Sequence, residues 1–249
     1  MPIPDGVGKA GPVGTIAPVT KSSGEQIAGC YLAVHERLAA LATQLTDEQA
    51  ATPVPATPGW TVHEVLAHLA AIPTDVLAGR LMGIPDDAHT AAQVAARQDR
   101  PLADLVQEWA ANVHAMADGA RAGLVPSNLA VDALTHEQDI RGALGLPPAL
   151  SAGELRFCVD LYTGGCAGLL RADGLPALRL RGADTDLDRV AGDGEPAAAV
   201  AAPEFELFRA LSGRRSRHQV RGYDWTGDAA PYVDRFNVFG VLPADPIAD

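Results

Sequence analysis

One stretch restricts what this chain can fold into more than any other: Leu129 to Gly145, LAVDALTHEQDIRGALG. Read as a helix, it places Leu129, Asp132, Ala133, His136, Ile140 and Leu144 on one face, the side that a helix buries. An acid and an imidazole one turn apart then point into a core. A neutral polar group buried without a partner costs on the order of 2–7 kcal/mol, and a charge costs more. A metal ion, a mutual hydrogen bond or a polar cleft between helices are the physical ways to satisfy them. Gly145, which tolerates a left-handed cap, and Pro147, which cannot continue a helix, stop the segment.

Three more helical segments precede it. From Glu25 to Leu45, residues Ile27, Tyr31, Val34, Leu38, Leu41 and Leu45 share a side. The segment TDEQAATPVPATPG breaks that pattern, and WTVHEVLAHLAAIP follows. Thr61 and Glu64 have the spacing of a capping box, so a helix starts after Thr61. Its apolar residues Val62, Val65, Leu66, Leu69 and Ile72 bring His68 inward with them. The next segment, roughly Leu102 to Arg121, turns Leu105, Trp109, Val113 and Met116 inward. Four helices with short connections predict a bundle, whose core is a common place for metal sites built from facing side chains.

After Pro148 the composition changes. A helical segment from Gly153 to Arg171 leads into ALRLRGA, LDRVAGD and AAAVAAP, which read as short strands. PEFELFRALSG reads as a helix with Phe205, Phe208 and Leu211 inward. The expected fold class is an N-terminal all-α four-helix bundle at 24–148 followed by a smaller α+β domain at 149–249. Residues 1–23, rich in Gly and Pro, read as a flexible tail, and GVGK at 6–9 lacks both the spacing and the preceding strand of a phosphate loop.

Charge narrows the partners. The net charge of −12 argues against nucleic acid or an anionic membrane. No apolar run reaches the roughly 18–20 residues of a membrane span, and no secretory signal is visible, so a cytoplasmic protein is expected. A homodimer is compatible with the sequence, although no surface stripe demands one. Cys30, Cys158 and Cys166 lack metal-ligand spacing and read as reduced, mostly buried thiols.

His68, Asp132 and His136 form the sharpest constellation. Two ligands at i and i+4 on one helix and a third on its neighbour would suit zinc or a similar ion, with a fourth position left open. Periodicity alone favours the plainer account, in which His136 bonds Asp132 and His68 is a satisfied core histidine. Arg214, with Arg215, Arg217 and Arg221 nearby, is either a guanidinium for a carboxylate or a surface charge. Trp225 reads as core, and His35 and His114 as partly exposed helix residues. HEQD at 136–139 lacks the second histidine of H-E-x-x-H. Asp184, Asp186, Asp188 and Glu195 match positions of a calcium loop, but Arg189 replaces its required glycine, so a solvated acidic hairpin is expected.

TPGWTVHEVLAHLA (57–70), the D-x-x-x-H-x-x-D-I-R-x-A-L-G run (132–145), LSGR (211–214) and DWTGD (224–228) together resemble the mycothiol-dependent maleylpyruvate isomerase family, within the DinB-like metalloenzymes. The resemblance spans nearly the whole chain except the tail. It implies a bundle whose metal, usually zinc, is held by the matching His68, Asp132 and His136, with Asp132 standing where the family often has Glu. It implies a low-molecular-weight thiol, mycothiol, as cosubstrate, and Arg214 as the matching arginine of LSGR. The expected activity is a metal-dependent, thiol-using isomerase or S-transferase acting on a small electrophilic, carboxylate-bearing molecule. The alternative is a non-catalytic or metal-free ligand-binding or tailoring protein of the same fold.

Overall fold

Side-chain caps set where most helices begin. In the computed structural model, which describes residues 23–81 and 86–247, Ser23 Oγ accepts the Gln26 N–H at the start of α1 (Gly24–Ala42). Thr46 and Gln49 form a capping box on the short α2 (Asp47–Ala50). Thr61 and Glu64 form the expected one on α3 (Val62–Leu77). Asp86 caps α4 (Asp87–Ala95), and α5 (Leu102–Arg121) and α6 (Asn128–Ala143) follow. Each cap occupies amide groups that a helix leaves without an internal partner. Apart from Ser23, the expected tail, with its GVGK run, lies outside the described residues.

Helices α1, α3, α5 and α6 pack around a common apolar core. Leu105, Trp109, Val113 and Met116 of α5 and Val62, Val65, Leu66 and Leu69 of α3 are buried as their spacing predicts. Helix α3 continues past Pro73 for another turn, where the Asp75 carbonyl accepts the Arg80 and Leu81 amides. Helix α6 departs from expectation more. Its spacing predicts one buried face, yet every residue from Ala133 to Ile140 is buried. It lies between α1, α3 and α7 (Ala152–Ala172), so its polar residues need partners on all sides. Glu137 receives the Arg37 guanidinium through both oxygens and Arg141 as well, while Thr135 hydrogen-bonds Tyr162. Gly145, at φ +65°, ends α6 as expected, and the Leu146 N–H closes back on the Arg141 carbonyl.

The C-terminal part contains β1 (Leu178–Gly182), β2 (Asp188–Ala191), β3 (Ala198–Ala202), α8 (Glu204–Leu211), α9 (Arg217–Arg221), β4 (Asp224–Thr226) and α10 (Ala230–Val233). The sheet order is β2-β1-β3-β4, with β1 and β3 parallel and the outer pairs antiparallel. Leu178 and Leu180 pair with Ala198 and Val200, and these four share the buried face. Helix α7 packs against both β2 and α8. The chain thus has a helical N-terminal part and a small mixed sheet after it, as the sequence predicts. Cys30, Cys158 and Cys166 are free and buried. None of the described helices is long and apolar enough to cross a membrane.

Candidate metal centre and its cavity

Helix α3 delivers His68 and helix α6 delivers Asp132 and His136 to the same point. His68 Nε2 lies 3.6 Å from Asp132 Oδ2, and His136 Nε2 lies 3.6 Å from Asp132 Oδ1. One ligand atom from each residue falls within 4.8 Å of the other two. Two donors on a tetrahedral ion, each about 2.0–2.1 Å from it, stand roughly 3.4 Å apart, so this spacing suits a small divalent cation. The two imidazole rings meet edge to face at 5.4 Å between centroids, and Trp60 lies 5.4 Å from the His68 ring.

The other ring nitrogens are tied down. His136 Nδ1 donates to Asp139 Oδ2 at 3.0 Å. His68 Nδ1 donates to Gln93 Oε1 at 3.3 Å. The Gln93 amide is oriented in turn, because its Nε2 donates to Asp75 Oδ2 at 2.7 Å and an ionised carboxylate only accepts. With Nδ1 donating on both rings, Nε2 is the nitrogen that each turns towards Asp132, the orientation that an imidazole ligand to a metal needs. Burial by itself would raise the pKa of Asp132, but His136, His68 and Arg214 outweigh it and hold the carboxyl below its ordinary value. Burial would likewise raise Asp139, yet Arg214, Arg209 and His136 hold it well below the carboxylate range. Both acids are therefore ionised at neutral pH.

Arg214 reaches this site from the C-terminal part of the chain. Its Nη2 and Nε donate to the Asp139 carboxylate at 2.9 and 3.3 Å, and its Nη1 donates to the Ser212 carbonyl at 2.6 Å. Each Nη nitrogen carries a second N–H beyond these bonds. Arg209, fully buried, meets Asp139 Oδ1 at 2.8 Å. The LSGR turn is held by Gly213 at φ +79°, where a Cβ would meet the Asn237 side chain at 2.7 Å. Only glycine fits there.

These groups border a cavity of about 760 Å³. Trp60, His68, Asp132, His136, Tyr162 and Arg214 line one part of it, and mostly apolar residues of α3, α5, α6, α7 and the α5–α6 turn, together with Thr90, Asn128 and Phe239, line the rest. Arg215 and Arg217 are engaged elsewhere, with Glu206 and Asp234, and Trp225 lies edge-on to Phe236. The acidic hairpin is no calcium loop: Asp186 pairs with Arg156, Asp188 with Arg179, and Asp184 caps Glu204. His114 is exposed and His35 is half-buried against Trp109.

Four residues of the site escape sequence reasoning. Asp139 was findable, since a carboxylate three positions after a histidine lies within reach on a helix. Gln93, Asp75 and Arg209 carry no such signal, because their roles depend on how α4 and α8 pack.

The helical bundle has the DinB-like fold, and a small mixed sheet follows it. Residues 31–141 match the model of the mycothiol maleylpyruvate isomerase N-terminal domain. Two solved structures of the mycothiol-dependent maleylpyruvate isomerase, one of them a histidine-to-alanine mutant, superpose on the chain with a TM-score of 0.51 each. They are 12% and 13% identical in sequence, and each match covers 93% of this chain and 97% of the other. No curated protein sequence matches the chain.

Proposed function

We propose that the protein is a divalent-metal, thiol-using enzyme of the isomerase or S-transferase type, acting on a small electrophilic molecule that bears a carboxylate. The observation that carries this reading is the anchoring of both imidazoles through Nδ1, which leaves two Nε2 atoms and the Asp132 carboxylate converging on one point. His68, Asp132 and His136 would hold the metal, with zinc the first candidate for a two-imidazole, one-carboxylate set. When bound, such an ion favours the thiolate form of a low-molecular-weight thiol, and the domain match over residues 31–141 makes mycothiol the thiol to try first.

The chain's own groups supply the remainder. Asp139 and Gln93 fix the tautomer and the orientation of the two imidazoles. Arg214 borders the cavity with an N–H on each Nη nitrogen beyond its bonds to Asp139 and Ser212, and these suit a substrate carboxylate. The apolar walls exclude water from the electrophile, which protects a reactive adduct from hydrolysis. On this reading residues 24–148 form the ligand-bearing bundle. Residues 149–249 form a smaller α+β domain that adds Leu161, Tyr162, Arg214 and Phe239 to the wall.

Elemental analysis of protein purified without chelator tests the reading, alongside a His68→Ala, His136→Ala double variant. Near-stoichiometric zinc or another divalent ion in the parent, absent from the variant, is the expected result. Metal-dependent consumption of an electrophile by mycothiol, lost in His136→Ala, completes it. A parent that takes up no metal even on reconstitution overturns it, and the cluster is then a structural polar core.

A further inference from the structure

The cavity changes character along its length, and the change specifies the ligand. On α3 the lining residues are His68, then Ile72, then Val76, so moving about 12 Å along the helix exchanges an imidazole for two aliphatic side chains. On α6 the lining runs from His136 and Asp132 back to Leu129, about 10 Å away along that axis. Met116 from α5 and Leu161 from α7 border the same space. At its rim, Leu124 and Phe239 are 81% and 59% exposed. Large apolar side chains left open to solvent around a concave site mark a surface that a ligand covers.

Charge is confined to one end. Among the described lining residues, Asp132 and Arg214 are the only ones besides the two histidines that carry ionisable groups able to meet a substrate ion at neutral pH. Arg214 already shares its charge with Asp139. A second carboxylate placed farther along would face Ile72, Val76, Leu129 and Met116, with the neutral side chains of Thr90 and Asn128 but no further cation among the described lining residues, and a charge without a counter-ion in such surroundings is disfavoured.

We infer that the electrophilic substrate is a molecule with a single anionic head and an extended apolar body, its head at the Arg214 end and its body between α3 and the N-terminal half of α6. This deepens the proposed enzymatic reading and rests on it for the word substrate. The recognition itself rests on the cavity walls alone. It separates this protein's substrate from short dianionic compounds.

Calorimetric titration of the full-length protein with hexanoate, octanoate and decanoate, and with the dicarboxylates of matched length, tests it. Affinity is expected to rise about fourfold per methylene, corresponding to the ~0.8 kcal/mol of a buried CH2. Each dicarboxylate is expected to bind at least tenfold more weakly than its monocarboxylate partner. Val76, half-buried on the wall, provides a ruler. Val76→Trp should make the gain stop at hexanoate while metal content stays unchanged. Affinity independent of chain length, or dicarboxylates binding as tightly as monocarboxylates, overturns the inference.

The same titration on chelator-treated protein separates the two readings. A chain-length slope in a protein that never takes up metal overturns the enzymatic reading and leaves the apolar cavity standing. Stoichiometric metal without any slope overturns the cavity inference alone.

Discussion

Gln93 carries a larger share of the site than its chemistry suggests. It is buried between His68 and Asp75, and its amide can point only one way, because the Asp75 carboxylate also accepts from Arg80 and His89. The chain of bonds runs from the surface through a carboxylate and an amide to His68 Nδ1, the ring nitrogen turned away from Asp132. Partners of this kind are worth about 10–100-fold in metal affinity. Gln93→Leu, close in volume but unable to accept, should weaken zinc binding by that factor in a competition titration, while Gln93→Glu retains the acceptor and should recover most of it only when combined with Asp75→Asn, which removes the carboxylate it would otherwise oppose. Equal affinity in the leucine variant would show that His68 needs no orienting partner. The three proposed ligands could be picked out in the sequence, since Asp132 and His136 stand one helical turn apart and His68 shares a stripe with Val65 and Ile72. The Gln93 contact was not. It bridges 25 positions in the chain and exists only through the packing of α4 on α3.

At the scale of elements, α4 and α6 show where periodicity stops informing. Helix α4 buries only Gln93 and Val94, so its sequence DAHTAAQVA offers no apolar stripe to detect. Helix α6 fails in the opposite sense, being enclosed on every side, so that a one-faced pattern understates how much of it is buried. Amphipathic α1, α5 and α7, by contrast, were readable because each buries one face, and α3, buried all round from Val65 to Pro73, was readable because His68 is the only polar side chain in that run. The enclosure of α6 makes its polar residues matter to stability. Glu137 is fully buried and held by Arg37, which also reaches Glu154 on α7. Removing one partner of a buried pair costs about 3–5 kcal/mol, whereas an exposed pair is worth about 1 kcal/mol or less. Glu137→Gln is therefore expected to destabilise the fold by about 3–5 kcal/mol in urea unfolding. Glu25→Gln, which loses only an exposed pair with Arg121, should change it by less than about 1 kcal/mol. Similar values for the two would mean that Arg37 rearranges freely onto Glu154.

Over the whole molecule, arginine–carboxylate pairs tie the elements together in a chain of net charge −12. Burial would raise the pKa of Asp75, Glu108 and Asp139, but it is outweighed by Gln93, Arg80 and His89 at the first, by Arg97, Thr74 and Arg100 at the second, and by Arg214 and Arg209 at the third. Asp188 is held down chiefly by its bond to Arg179. Each of these carboxyls binds its proton less tightly in the folded chain than in the unfolded one. Unfolding in acid therefore takes up protons, and stability falls as the pH drops. The contribution is complete above the ordinary carboxyl values of about 3.9–4.3 and is lost as the pH falls through and below them. Protonation also relieves the repulsion of an acidic surface, which acts in the opposite direction. That term is spread over exposed charges and is largely screened beyond about 8–10 Å at moderate salt, so the buried pairs should prevail. The expected melting temperature is level from about pH 7 to 5 and drops below about pH 4. The drop should persist at 1 M salt, where surface repulsion is already suppressed. Melting curves followed by circular dichroism across that range decide the contest: a melting temperature that climbs between pH 5 and 3 would mean that net repulsion, rather than the arginine pairs, governs how this fold responds to acid.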